Sequence, residues 1–353
     1  MMTMTPKERI DAVIHHQPVD RIPFTVVDGG AWIARREGVS YRDLYSRSDN
    51  GAEAVVKWLN EIDSDMISAV SGVFTACLNA FGCPISIDKV GGSIDTGAVF
   101  TDPENEIPQL NKETVRDTLL SNDFVQKMIG QTRNIKSLVG DHKYLFADIA
   151  GPFTMAAVMV GTSDFIMLML DEPELVNELL DFTVCVSAEM LTLLHENGCD
   201  IAFIAEPVGS GSLISKEMFE EWVIPSLKKL KEKLSCYKYF FTHVCGASGN
   251  RVEALCGCGV DVFSVDYLVD LDNAMETACD KMTMMGNINP AGVLLTGTAE
   301  EVYQEACERL KVAQEYAFIL APGCDLSADA PLENVMMLSA ACKDMALQSD
   351  SEI

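Results

Sequence analysis

Three hundred and fifty-three residues carry 53 acidic against 26 basic side chains, a formal charge of −27 at neutral pH. A surface this acidic repels a phosphate backbone and an anionic lipid face alike, so nucleic acid and anionic membranes are excluded as partners on electrostatic grounds. A hydrophobic content of 48% excludes global disorder, because that much apolar material offsets the entropy of ordering the chain.

In chain order, Met1–Asp20 has scattered charges and no apolar h-region; it reads as a helical cap and not as a secretory leader. Apolar, β-rich runs that end in polar or glycine-containing turns then recur. Ile22–Val27 leads into Asp28-Gly29-Gly30, and Asp65–Val70 precedes Ser71-Gly72. Ile85–Phe100, with short apolar runs around Gly91-Gly92, breaks the rhythm and reads as an inserted β-hairpin. Tyr144–Ile149 ends near Gly151-Pro152, Ile201–Ala205 at Glu206-Pro207, and Tyr237–Thr242 at His243-Val244-Cys245. Val260–Val265 reaches Asp266, Met282–Met285 reaches Gly286-Asn287, and Tyr316–Leu320 runs towards Cys324. Helical patterning separates the runs, as in Ser163–Leu194, Lys216–Leu234 and Ala299–Gln314. No stretch approaches the roughly 18 consecutive apolar residues of a membrane helix.

Strands alternating with helices favour a parallel sheet, and eight such units over this length fit a (β/α)8 TIM barrel. The expectation is therefore an α/β fold of one domain, residues 1–353, with a helical cap over 1–20 and a hairpin insertion over 85–100. A barrel gathers the residues after its strands at one mouth. That geometry brings Asp28, Asp148, Glu206, His243, Cys245, Asp266, Asn287 and Cys324 towards one cleft.

Of these, His243, Cys245 and Cys324 carry the most chemistry. Residues two apart on an extended segment share a side, so His243 and Cys245 converge. An imidazole and two thiolates suit Zn²⁺ and leave a fourth position for an exchangeable group, such as a thiol held as its thiolate. The same three residues also read as a core histidine and two of twelve cysteines, since His-x-Cys is a short motif. The remaining cysteines have no convincing paired spacing, and Cys256-Gly257-Cys258-Gly259 sits where a helix should end on glycine. Cysteines spread through a large chain without a leader point to the reducing cytoplasm and not to a disulfide framework. His195 near Asn197-Gly198 fits a helix C-terminus, and Gly209-Ser210-Gly211-Ser212 fits a flexible loop at the mouth.

The chain resembles the uroporphyrinogen decarboxylase superfamily over nearly its whole length. The residues that carry the likeness are Lys7-Glu8-Arg9, Asp20-Arg21-Ile22-Pro23, Gly151-Pro152-Phe153-Thr154, Glu206-Pro207 through Leu213-Ile214-Ser215, Phe219 to Pro225, and Gly286-Asn287-Ile288-Asn289-Pro290. Within it, His243-x-Cys245 with Cys324 resembles the zinc-dependent corrinoid methyltransferase branch, whose familiar members are methylcobamide:coenzyme M methyltransferases. The resemblance implies a zinc site on these three residues and methyl transfer between a corrinoid cofactor and a small thiol or methylated substrate. It also implies that the corrinoid arrives on a partner corrinoid protein, because the chain contains no DxHxxG cobalamin motif. Asp266 and Glu206 are the expected catalytic carboxylates, Asp266 falling where a family carboxylate adjoins the metal. Asp28, Glu206 and Asn287 are expected against substrate. The decarboxylase branch binds a polycarboxylate through an arginine-rich N-terminal loop; here Val27–Ile33 holds no arginine and the whole chain holds ten. A catalytically silent corrinoid-handling barrel is the third reading.

Overall fold

The computed structural model describes residues 3–351 except Arg47, Ser71 and residues 88–93. Seven parallel strands form one sheet in the order β1 (Met66–Ser68), β4 (Tyr144–Ala150), β5 (Ile201–Ala205), β6 (Tyr239–Val244), β7 (Val262–Val265), β8 (Thr283–Ile288) and β9 (Phe318–Pro322). β2 (Ile85–Ile87) and β3 (Ile94–Thr96) pair antiparallel, and the Gly91-Gly92 turn expected between them lies outside the described residues. Among the described residues no single helix is long and apolar enough to cross a membrane.

The first expected strand, Ile22–Val27, is reduced to a single parallel bridge between Phe24 and Leu320. Thr25 N–H donates to the Leu320 carbonyl and Leu320 N–H to the Pro23 carbonyl, while on the other side Asp65 N–H donates to the Phe24 carbonyl. The two edges of the sheet therefore meet across this one segment. Its ladder is short for a local reason: Pro23 has no N–H to give, and the Phe24 N–H is taken by the Asp65 carboxylate at 2.8 Å.

Pleating divides each strand between two environments. Phe146, Phe203 and Phe241 point inward and stack across neighbouring strands, with ring centroids 5.4 and 6.1 Å apart. They fill the middle of the sheet's concave interior. The helix Pro6–Ile14 covers its N-terminal end, with Ile10, Val13 and Ile14 packed into the same cluster. Asp11 on that helix accepts from Tyr144 Oη at 2.6 Å, Tyr239 Oη at 2.7 Å and Lys238 Nζ at 2.7 Å, which fixes the helix to the starts of β4 and β6. A capping box between Thr5 and Glu8 starts the helix.

Charged residues tie this floor to the sheet. Arg9 reaches Asp20 Oδ1 at 2.7 Å and Asp65 Oδ1 at 2.6 Å, and Arg21 reaches Asp65 Oδ2 at 2.8 Å. Elsewhere proline sets the breaks: the long helical run separates into Thr162–Asp171 and Pro173–His195 at Pro173. The run from Lys216 passes through a π-helical turn, Phe219–Val223, next to Pro225.

Asp65 is 1% exposed and holds two guanidinium groups. Asp65→Ala leaves both without their partner, and the expected loss is about 3–5 kcal/mol of unfolding free energy, read by urea denaturation. A loss well under about 1 kcal/mol, typical of a surface pair, would contradict this role.

Candidate metal centre

β6 begins and ends two residues later than the apolar run suggests, because the main-chain ladder continues through Thr242, His243 and Val244. His243 is thus the last inward residue of β6, two beyond Phe241. It is 2% exposed. Its Nδ1 lies 3.1 Å from the Ser264 carbonyl and 3.0 Å from Ser264 Oγ. A carbonyl only accepts, so Nδ1 carries the proton and Nε2 keeps its lone pair. The parallel register pairs His243 with Ser264, which is what places that carbonyl under the ring.

Nε2 faces the two cysteines. It lies 3.3 Å from Cys245 Sγ, and Cys245 Sγ lies 4.0 Å from Cys324 Sγ. The three ligand atoms all fall within 4.8 Å of one another. Tetrahedral zinc, with bonds of about 2.3 Å to sulfur and about 2.0 Å to nitrogen, sets sulfurs about 3.8 Å apart and sulfur about 3.5 Å from nitrogen. The donor set and its spacing fit a divalent ion of that kind. All twelve cysteines are free, so neither sulfur is spent in a disulfide. Cys245 and Cys324 are only half-buried, which leaves one side of the cluster open.

Electrostatics agree with a cation here. The sulfur of Cys245 beside it, together with burial, pushes the Cys324 thiol far above its ordinary value, and the His243 ring opposes the shift. Burial works against a charged His243, but Cys324 and then Asp148 and Asp266 outweigh it and hold the ring above its usual value. Such a pair of sulfurs ionises readily only when a cation sits between them.

Cys324 reaches β6 because the chain after β9 can press against the chain after β7. A Cβ on Gly323 would stand 2.5 Å from the Tyr267 nitrogen, so only glycine allows that approach. The Gly323 N–H donates to the Ile288 carbonyl at 2.7 Å and anchors the turn to β8.

The other expected residues divide. Asp266 is buried near His243, but its carboxylate is outside the group of mutually close ligand atoms; Oδ1 accepts from Leu268 N–H at 2.9 Å. Asn287 Nδ2 donates to the carbonyls of Asp266 and Val269 at 3.2 and 3.0 Å, bracing the loop after β7, and its Oδ1 has no partner. Glu206 is not brought to the cluster. It is fully buried, and its two oxygens accept from Phe153 and Thr154 N–H at 3.1 and 2.8 Å. A carboxylate there caps the start of the helix Pro152–Val160. A Cβ on Gly151 would stand 2.1 Å from Glu206 Oε1, so the Gly-Pro start and the glutamate form one device.

Asp28 meets Asp148 and Asp325 in a second group of mutually close ligand atoms, its Oδ1 accepting from Gly30 N–H at 2.7 Å. Asp148 is the inward residue two beyond Phe146, and its Oδ1 is buried without a partner. Enclosure and the carboxylates of Asp325 and Asp28 raise the Asp148 carboxyl well above the usual range. Water reaches Asp325 at the rim; its concave setting, then Asp28 and the Cys324 sulfur, raise it likewise. The strand-end rule that found Cys324 applies equally to Asp325, which sequence reading passed over. Ser264 and Ser68 are legible only once the strand register is known. Arg251, also passed over, is fully buried: its Nη2 donates to the Ile214 carbonyl at 2.7 Å and its guanidinium lies 4.9 Å over the Phe219 ring, pinning the loop after β5.

The sequence profile of the uroporphyrinogen decarboxylase (URO-D) family matches residues 5–345. A methylcobamide:CoM methyltransferase of Methanosarcina acetivorans is 25% identical over 347 residues, 98% of this chain and 99% of the relative. A uroporphyrinogen decarboxylase of Myxococcus xanthus is 23% identical over 299 residues, 82% of each chain. Among solved structures, a methyltransferase from Methanosarcina mazei superposes with a TM-score of 0.86 at 22% identity, covering 97% of this chain and 99% of that one. That likeness speaks for the fold.

Glu206 supplies a test that is independent of any metal. Burial raises its pKa to about 7, against hydrogen bonds from Thr154 and Phe153 that lower it. The folded protein thus holds a proton that the unfolded chain has released, so Glu206 contributes stability that is lost as pH rises from about 4.5 to about 7. Glu206→Gln removes that dependence. The unfolding free energy of the variant relative to the parent should shift in the variant's favour across this window, measured by urea denaturation at several pH values; a difference that stays constant would contradict the assignment.

Proposed function

Because this chain belongs to the uroporphyrinogen decarboxylase (URO-D) family, with His243, Cys245 and Cys324 gathered at one mouth, we propose that it is a zinc-dependent methyltransferase. It moves a methyl group between a corrinoid cofactor, presented by a partner corrinoid protein, and a small thiol or methylated substrate. The observation that carries this reading is the convergence of one imidazole nitrogen and two sulfurs from β6 and the end of β9, with the ring's other nitrogen committed to Ser264. The names of the full-length Methanosarcina relatives support the reaction class.

Bound zinc would supply an open position for a sulfur or other heteroatom and favour its anionic form near neutral pH. Everything else is positioning by the chain's own groups. Ser264 fixes the His243 tautomer and ring plane, the kind of outer contact that sustains ligand geometry. Asn287 braces the loop that carries Asp266, whose charge lies near His243. Asp28 contributes at the same mouth, and Glu206 acts through the helix start that it caps. A partner docking over the mouth would exclude water and bring the reacting carbon into line with substrate, where alignment supplies much of the acceleration.

The decarboxylase reading requires a polycarboxylate to enter a mouth that already holds Asp28, Asp148 and Asp325, and like charges oppose that. A silent barrel would have no need for the Ser264 contact that frees Nε2.

His243→Ala and Cys324→Ser should each lose bound zinc and reduce methylcobalamin consumption with thiols by on the order of 100-fold or more, while circular dichroism stays that of the folded parent. Cys258→Ser, at the end of the helix Val252–Cys256, should keep both zinc and activity. Full zinc and full activity in either triad variant would overturn the site.

A further inference from the structure

Beside the metal cluster the mouth holds a second polar constellation that the methyl-transfer reading does not use. Asp28, Asp148 and Asp325 place carboxylate oxygens within 4.8 Å of one another. Among the described residues, no Lys or Arg forms an ion pair with Asp148 or Asp325; Asp148 Oδ1 is buried without a partner, whereas Asp325 is exposed at the rim. Gathering like charges in a concave mouth is unfavourable unless something positive is meant to enter.

An independent observation points to the same ligand. Ser68 is 5% exposed and its Oγ has no partner. Met66 packs into the inward cluster, so Ser68, two residues on, faces inward as well. It pairs in register with Phe146, one inward step below Asp148. On its other side runs the 23–25 segment that leads to Asp28. The unsatisfied hydroxyl therefore lies between β4, which carries Asp148, and the segment that leads to Asp28, and its oxygen adds an acceptor for a positively charged guest.

Resting on the methyltransferase reading above, we propose that this second constellation is a cation subsite, and that the small substrate held at the metal carries a positively charged ammonium group. The two sites adjoin: Asp325 directly follows Cys324, and Asp148 acts on the His243 ring. One small molecule can thus set a heteroatom at the metal and its positive charge against Asp148 and Asp325. A substrate with an anionic head, such as a sulfonate, meets repulsion at the same place.

Thiols that share a two-carbon spacer and differ in head charge test this on the zinc-loaded full chain by calorimetry: thiocholine (quaternary ammonium), 3,3-dimethylbutane-1-thiol (its neutral isostere) and 2-mercaptoethanesulfonate (anion). The quaternary nitrogen cannot bind zinc, so charge alone separates the first two. Thiocholine should bind at least about 10-fold more tightly than the neutral thiol, with the sulfonate weakest. The zinc-loaded Asp148→Asn, Asp325→Asn double variant should bring thiocholine and the neutral thiol within about twofold of each other. Equal or tighter binding of the sulfonate, or a preference that survives the double variant, overturns the proposal.

A second arm avoids the metal altogether: choline against 3,3-dimethylbutan-1-ol on the metal-free protein. Preference for choline supports the subsite even when no thiol binds at zinc, in which case it is the zinc reading that fails. No preference for choline overturns the subsite. Mg²⁺ or Ca²⁺ binding at the carboxylates with no preference for choline over its isostere overturns it in favour of an inorganic ion.

Discussion

Strand pleating is the constraint on which the arrangement rests. In each parallel strand alternate residues face inward, and the register between strands stacks these residues into layers. Phe146, Phe203 and Phe241 meet as tilted rings in the interior, Phe203 lying in register with Phe241 on one side and Asp148 on the other. One inward step further along their own strands, Asp148, Ala205 and His243 lie on the mouth side of these rings, Ala205 and His243 in direct register. A histidine in this layer is dry on one side and reachable on the other, as a metal ligand with an exchangeable fourth position needs. The same register lays the Ser264 carbonyl beneath the ring. A slip of one residue would turn His243 into the outer helical layer and dismantle the site.

The residues that carry the family resemblance serve that constraint more than the chemistry. Arg9, Asp20 and Arg21 belong to the ion-paired floor around Asp65. Gly151 to Thr154 and Glu206 form one capped helix start. Asn287, in the Gly286–Pro290 stretch, braces the loop after β7. These parts hold strand ends in place and do not supply the charge at the mouth, so family membership alone says little about substrate. In this chain that charge is acidic, at Asp28, Asp148 and Asp325.

Much of this was legible in the sequence, and its failures have physical causes. The alternation of apolar runs and helical stretches identifies the parallel α/β sheet because both faces of such a sheet are buried. The ends of β6, β8 and β9 were read two or three residues early because His243, Asn287 and Pro322 interrupt apolar character, whereas the ladder depends on main-chain groups alone. The strand at Ile22–Val27 shrank to a bridge because Asp65, a residue far along the chain, captures a ladder donor. Glu206 looked like a mouth residue from its place after β5, but one step in the pleat turns it outward to the helix. The gathering of His243, Cys245 and Cys324 was legible because each follows or ends a strand, where a barrel brings side chains together. Ser68 and Ser264 were not, since a serine acquires meaning only from the strand beside it.

The central claim, that one nitrogen and two sulfurs from distant strands share an open metal site, is tested most directly by X-ray absorption at the zinc edge of the zinc-loaded protein. The expected first shell holds two sulfurs at about 2.3 Å and one nitrogen at about 2.0 Å, with a light fourth atom that a small thiol replaces, raising the sulfur count from two to three. A shell of four sulfurs, a shell of nitrogen and oxygen alone, or one that a thiol leaves unchanged would contradict it.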